Sequence, residues 1–239
     1  MKYKIVMLGS VASGKTTLAK KVKNMLDVRG IPAKYVDINI NHGPSYLITR
    51  LLVKALRLTY KSNFYLTIRF NNTSLFCRLL SLMILLDIIY APIKIIYSIF
   101  IPSINNKILI IDEYYINGLI DYLYYSSKLC RISSFLSKLM LKLFNKVVIR
   151  LSIHSLRKSR CVVASLVMDP AKSVRGWLKR EKISDVDVNH ILFRTAASKV
   201  MSKAVSSSAG CVTLESDINN VKQDIPRTIK RIMTVIGLD

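Results

Sequence analysis

Eight residues near the start of the chain, Gly9-Ser10-Val11-Ala12-Ser13-Gly14-Lys15-Thr16, have the composition and spacing of a phosphate-binding loop. A triphosphate concentrates negative charge, so its site must offer many short donors with no bulky side chains in the way. Gly9 and Gly14 permit a tight loop whose backbone amides, with the helix N-terminus that follows, point inward at phosphate oxygens. Lys15 is placed to reach the β- and γ-phosphates, and the Thr16 hydroxyl to ligate magnesium. Gly9, Ser10, Ser13, Gly14, Lys15, Thr16 and Thr17 are therefore the expected nucleotide-binding set, with ATP and Mg2+ as cofactors. ATP is favoured over GTP because no guanine-selecting Asn-Lys-x-Asp sequence occurs.

Such a loop needs a carboxylate at the end of a neighbouring strand to hold the magnesium shell, and Asp112 follows the apolar run Ile108-Leu109-Ile110-Ile111. Glu113 has two readings, a second carboxylate that orients a water or hydroxyl nucleophile, or a charge at a sheet edge. Arg175 and Arg180 lie in a basic segment after Asp169-Pro170, with Lys179 and Lys182 nearby. Guanidinium groups that close over a transferring phosphate stabilise its charge. The competing reading is a solvated helix face, with Trp177 between the arginines packing rather than stacking on a base.

These residues must be positioned by strands and helices, and the hydrophobic pattern supplies both. Lys2 to Leu8 reads as a strand running into the loop, and Gly14 to Val28 as the helix after it. Ala33 to Ile38, Ile108 to Ile111, Cys161 to Met168 and Cys211 to Leu214 are further strands. Helical patterns cover Lys172 to Arg180, Val188 to Val205 and Ile218 to Ile236. Alternation of this kind predicts right-handed crossovers and a doubly wound parallel α/β sheet flanked by helices. Val147 to Ile153 fits a strand or a buried helix equally.

With 239 residues, 51% of them hydrophobic, one substantial core is expected, so residues 1–239 read as a single domain. An apolar helical insertion over about 64–104 and a lid-like segment over about 170–190 interrupt it. Leu79 to Ile101 is apolar enough to suggest a membrane span, but Asp87, Pro92 and Lys94 break it up. A core helix pair or an interfacial segment is the expectation instead. The formal net charge of +23 favours anionic partners, namely nucleotides, nucleic acid or anionic lipid, or it serves solubility alone. Arg50, Lys54, Arg57 and Lys61 recur along one helical face, either solvated or facing lipid or nucleic acid phosphates.

Cys77, Cys130, Cys161 and Cys211 have no metal or redox spacing and are expected as reduced core thiols. His42, His154 and His190 are scattered, which argues against zinc. No signal peptide pattern opens the sequence, so a cytoplasmic protein is expected, with peripheral membrane contact as an open alternative.

The arrangement resembles the thymidylate kinase-like branch of the nucleoside monophosphate kinases. Gly9 to Thr17 is similar to the family loop. Asp112-Glu113-Tyr114-Tyr115-Ile116-Asn117-Gly118-Leu119-Ile120-Asp121 resembles a family pattern of Asp-Arg-Tyr-Tyr-Tyr-Asp, any residue, Leu, an aliphatic residue and Asp. The stretch Leu79 to Ile101 is similar to one before that strand in some members. Val162 to Glu181 resembles a strand leading to an arginine-bearing lid. The resemblance implies a P-loop fold with a five-stranded parallel sheet, ATP as donor, and a small phosphorylated acceptor opposite the loop. Departures are Val11 and Ala12 where the family usually has Asp and Gly, Glu113 in place of a phosphate-holding arginine, and Asn117 where an acid is usual.

The leading expectation is a kinase moving the γ-phosphoryl group of ATP to a small acceptor such as a nucleoside monophosphate. The alternatives are an ATPase or GTPase switch or motor at a membrane surface or on nucleic acid, and a non-catalytic nucleotide-binding module. A homodimer stays open.

Overall fold

The computed structural model describes residues 2–38, 43–58, 64–105, 108–112, 115–130, 135–157, 159–181 and 187–238, with Arg180 and Glu181 described through their backbone only. His42, Lys61, Asn106, Lys107, Glu113, Tyr114 and Lys182 lie outside the described residues. In chain order the elements begin β1 (Tyr3–Gly9), α1 (Lys15–Val28), β2 (Ala33–Asp37), α2 (Pro44–Ala55), α3 (Phe64–Asn71), α4 (Thr73–Ile95), α5 (Ile101–Asn105) and β3 (Ile108–Asp112). There follow α6 (Tyr115–Tyr124), α7 (Phe135–Phe144), α8 (Arg150–Arg157), β4 (Arg160–Met168), α9 (Pro170–Glu181), α10 (Val188–Ala209), β5 (Val212–Ile218) and α11 (Val221–Val235).

The five strands form one parallel sheet in the order β2-β3-β1-β4-β5, as the alternating pattern predicts. Chain progression reverses on either side of β1, and in such sheets ligands bind beyond the carboxyl ends of the strands at that reversal. Both faces are covered. Ile5, Met7, Ile108 and Ile110 pack with Leu18 and Val22 of α1 and Ile229 of α11, while Val6, Leu8, Leu109 and Ile111 face α4, α6 and α8. Every residue of β3 is buried, which is why its sequence is a continuous apolar run without alternation.

Val147 to Ile153 is helical, a π turn (Asn145–Ile149) passing into α8. Phe144, Val148 and Ser152, four apart, are buried, so helical spacing rather than β-branching decides the outcome. The last helix begins at Val221 rather than Ile218, because β5 runs on to Ile218 and Asn220 caps the helix by accepting from Lys222 N at 3.0 Å.

The expectation of reduced thiols is corrected. Cys161 pairs with Cys211 and Cys77 with Cys130, and no described cysteine is free. The β4–β5 register matches Val162 with Val212, which puts the two preceding residues side by side with Cα atoms 4.8 Å apart. Cys77, in the first turns of α4, meets Cys130 just after the π turn (Tyr125–Leu129), next to an edge-to-face contact of Phe76 and Tyr125 with centroids 5.1 Å apart. Pairs 53 and 50 residues apart carry no local spacing signal, so only the fold brings them together.

Asp87, an interruption in the apolar stretch, is 2% exposed and accepts from Ser45 Oγ at 2.5 Å and from the Tyr122 hydroxyl. Burial pushes its carboxyl up to about 6, a rise limited by those two hydroxyls and by the charge of Lys94. The folded chain therefore holds a proton that the unfolded chain releases between pH 3.8 and about 6. Across that window stability falls as pH rises, by about 3 kcal/mol from this group.

Two outcomes follow. In Asp87→Asn the fall in unfolding free energy between pH 4 and pH 7 should shrink by about 3 kcal/mol in urea melts, and an unchanged slope would refute the assignment. Thiol titration of the unfolded, unreduced chain should find no free thiol. Each bridge closes a loop worth about 4 kcal/mol in chain entropy, so reduction should lower the melting temperature by about 10 °C or more.

Candidate functional site

The loop after β1 is shaped by its own backbone and by β4. Pairing of β1 with β4 continues to Gly9 opposite Leu166, and Ser10 N donates to Leu166 O at 3.0 Å. A Cβ on Gly9, whose φ is +141°, would lie 1.9 Å from that carbonyl oxygen, so only glycine fits. The Ser10 hydroxyl accepts from Met168 N at 2.9 Å, and Ser13 Oγ donates to Ser10 O at 2.9 Å, so both serine side chains brace the loop. Lys15 Nζ donates to Ser10 O at 2.7 Å and Gly9 O at 3.3 Å, which sets its ammonium group across the loop.

Gly14, at φ +85°, caps α1 without a side chain, and the first turn carries no acid. The first hydrogen bond of the helix runs from Leu18 N to Gly14 O, so the amides before it point out of the helix end into the loop. Thr16 and Thr17 are exposed on this turn. An uncapped, acid-free helix N-terminus suits an anion.

Asp112 ends β3 in register with Met7 of β1 and Asp37 of β2. It is 1% exposed; Oδ2 accepts from the Tyr35 hydroxyl at 2.8 Å, while Oδ1 is buried with no hydrogen-bond partner among the described residues. A buried carboxylate oxygen left in this state suits a cation or its water shell. Magnesium with a nucleotide thus fits the donors present. Asp37 is a second strand-end carboxylate, exposed beside Asp112. In the sequence the apolar pattern of this strand runs on to Ile38, so Asp37 does not read as a strand-end acid there, whereas β2 ends at it. Burial lowers the pKa of Lys94, opposed by the charges of Asp37 and Asp87, so this ammonium senses both acids.

Helix α9 starts beside the loop. Asp169 caps it by accepting from Lys172 N at 3.1 Å, and Pro170 takes the first helical position. Ser173 Oγ donates to Val11 O at 2.5 Å, and a Cβ on Gly176 would come within 2.8 Å of the Ala12 Cβ. Trp177 packs with Val11, Leu66 and Ile191, which makes it a packing residue. Arg175 is exposed on α9, and the side chain of Arg180 is outside the description. The helix face that meets the loop is thus Ser173, Gly176 and Trp177, and Arg175 is not on it.

Next to Trp177 lies a buried polar network that the sequence reading overlooked. Arg69 of α3 pairs with Asp187, the N-cap of α10, which also accepts from the Tyr124 hydroxyl at 2.7 Å and His190 N at 3.0 Å. His190 Nε2 lies 2.9 Å from Asp121 Oδ1, and Arg194 Nη1 lies 3.5 Å from Oδ2. Burial pushes the Asp121 carboxyl up, but Arg194, His190 and Arg69 outweigh it and hold it below the usual range. Asp187 is lowered likewise, its burial outweighed by Tyr124, the His190 amide and Arg69. The network fastens α3, α6 and α10 around the outer side of the loop.

The chain as a whole is similar to a deoxyadenosine kinase from M. mycoides in three solved structures. With bound dCTP the TM-score is 0.58 at 14% identity, with the products dCMP and dCDP it is 0.59 at 12%, and with dATP it is 0.60 at 13%. Each match covers 98% of both chains. At this identity the likeness is one of fold, a P-loop kinase fold without preference for thymidylate kinases. No family model matches the sequence, and no curated protein matches it.

Ala12 occupies the left-handed region at φ +59°, where the resembled family has glycine. Ala12→Gly should therefore stabilise the chain by about 1 kcal/mol, by relief of the left-handed conformation. Gly176→Ala should destabilise it by about 1–3 kcal/mol in the native background and by clearly less beside Ala12→Gly, since the opposing methyl is then gone. Additive effects in urea melts of the four proteins would show that α9 does not press on the loop.

Proposed function

We propose that this chain is an ATP-dependent kinase that phosphorylates a hydroxyl of a nucleoside-type acceptor. The observation that carries the reading is Oδ1 of Asp112, buried at the strand end with no hydrogen-bond partner among the described residues, beside a glycine-bounded loop that leads into an uncapped helix N-terminus. The fold shared with deoxyadenosine kinases supports it.

In this reading Gly9 to Thr17 hold the triphosphate through loop amides, and Lys15 bridges the β- and γ-phosphates. Thr16 and Asp112 would hold magnesium, which when bound would supply charge neutralisation on the phosphates. Asp37 accepts the proton of the acceptor hydroxyl as its oxygen bonds to the γ-phosphorus, and ADP leaves. Arg175 and Arg180 come from the segment that closes over the phosphates in the resembled kinases. Glu113 stands in the sequence where the resembled kinases have a phosphate-holding arginine, and a carboxylate in that role would repel an acceptor phosphate but tolerate a neutral hydroxyl. A hydroxyl acceptor therefore suits Asp112-Glu113 better than the nucleoside monophosphate implied by the resemblance. The paired acids also suit a nucleotide hydrolase, which is the second reading.

The test is incubation of the purified chain with γ-labelled ATP, magnesium and a panel of nucleosides and nucleoside monophosphates, with products resolved. Labelled nucleoside monophosphate is expected. Labelled diphosphate would return the acceptor to a nucleotide, and free phosphate alone would establish a hydrolase. Lys15→Ala should remove most ATP affinity in calorimetry, whereas Asp37→Asn should keep it and lower transfer at least ~10²-fold.

A further inference from the structure

The single helix from Thr73 to Asn105, 33 residues through α4, the π turn (Ile96–Phe100) and α5, is long and apolar enough to cross a membrane. Its packing excludes a span within this fold. One side is sealed in the core by Leu80, Ile84, Ala91, Ile95 and Ile99, and Asp87 is fastened there to Ser45 and Tyr122. The other side is a stripe at three- and four-residue spacing, Leu82, Leu85, Ile89, Ile93, Ile96 and Tyr97, with Ile89 61% and Tyr97 69% exposed. It runs on through Ile101 and Ile104. The neighbouring α7 adds Phe135, 82% exposed, with Leu136, Leu139 and Leu143. Exposed apolar side chains in this number on two helices that pack together mark an interaction face.

On the sides formed by α2 and α7 the charges beside it have one sign, while the acid Asp37 lies near Lys94. From residue 38 to residue 111 the sole acid is Asp87, which is buried, and from 122 to 168 there is none. Lys138 and Lys142 are exposed among the leucines of α7, Lys146 is exposed on the π turn after it, Arg150 follows, and Arg50 and Lys54 are exposed on α2, which packs against α4. A two-fold contact between copies would set these cations against their own images. A layer with hydrocarbon beneath anionic headgroups complements both the stripe and the lysines, whose stems reach along apolar surface while their heads stay at the phosphates.

We propose that the face built by α4, α5 and α7 docks in the plane of an anionic lipid bilayer, with the helix lying along the interface rather than crossing it. The inference is independent of the acceptor and of turnover. The full chain should co-sediment with vesicles containing phosphatidylglycerol and not with pure phosphatidylcholine, and high salt should weaken the association. Lys138→Glu, Lys142→Glu and Lys146→Glu together should reduce binding about 100-fold, and Ile89→Glu with Ile93→Glu at least ~10-fold, with circular dichroism and ATP binding unchanged. Should those variants misfold, Tyr97→Trp gives a separate readout, a blue shift of emission on addition of anionic vesicles. Absence of sedimentation at low salt, absence of that shift, or binding indifferent to the isoleucine changes overturns the proposal. So does a stable dimer that the isoleucine changes dissociate, which would assign the face to a second copy.

Discussion

The close approach of Gly9 to the Leu166 carbonyl fixes the rest of the site. Because the β1–β4 ladder continues to this pair, the loop can begin only where β4 is still at hand. Ser10 is then tied by its amide and its hydroxyl to Leu166 and Met168, and β4 ends within one residue of the Asp169 cap of α9. The loop and the helix that covers it thus hang from the same few residues of one strand. On the other side of β1, register alone delivers Asp112 to the loop. A side chain at position 9 would break this arrangement at its source, since backbone atoms of a central strand have nowhere to move.

Two buried acidic clusters show opposite ways of hiding a carboxylate. Asp87 is met by hydroxyl groups, with the charge of Lys94 a smaller influence, and burial dominates so that its neutral form is favoured relative to an ordinary carboxyl. Asp121 and Asp187 are met by Arg69, Arg194 and His190, and stay ionised. The second solution depends on a precise meeting of three helices, because a cation left without its acid in the same place would carry a large desolvation penalty. Around the outer side of the loop, therefore, charge pairing specifies geometry, whereas under α4 the polar groups only fill a gap in an apolar layer.

Much of the framework was legible in the sequence because it depends on local rules. Each of the five strands overlaps a run that periodicity and flanking turn residues mark out, though β5 runs four residues past Leu214, and the loop with its helix reads from glycine and lysine spacing. Asp112 was legible because a buried strand ending in an acid is a local pattern. The disulfides, the Arg69–Asp187 pair and the Asp121–His190 contact were not, since they join residues 50 to 118 positions apart that only register and helix packing bring together. Arg175 was singled out because it follows a strand and Asp169-Pro170 as in the lid of the resembled kinases; on α9 it is exposed, and the residues of that helix that touch the loop are Ser173, Gly176 and Trp177, contacts that no local pattern marked.

The Cys77–Cys130 bond closes a covalent ring that contains α4, α5, all of β3 and α6. The ring takes in the long helix from Cys77 onward and then β3, whose last residue is Asp112. The bond ties the first turns of that helix to the residue just after the π turn that follows α6, while α5 at its far end packs on β3. If the helices inside the ring open, its two ends still cannot part, so the segment that carries Asp112 is held to a closed loop of 53 residues' separation even in a locally unfolded chain.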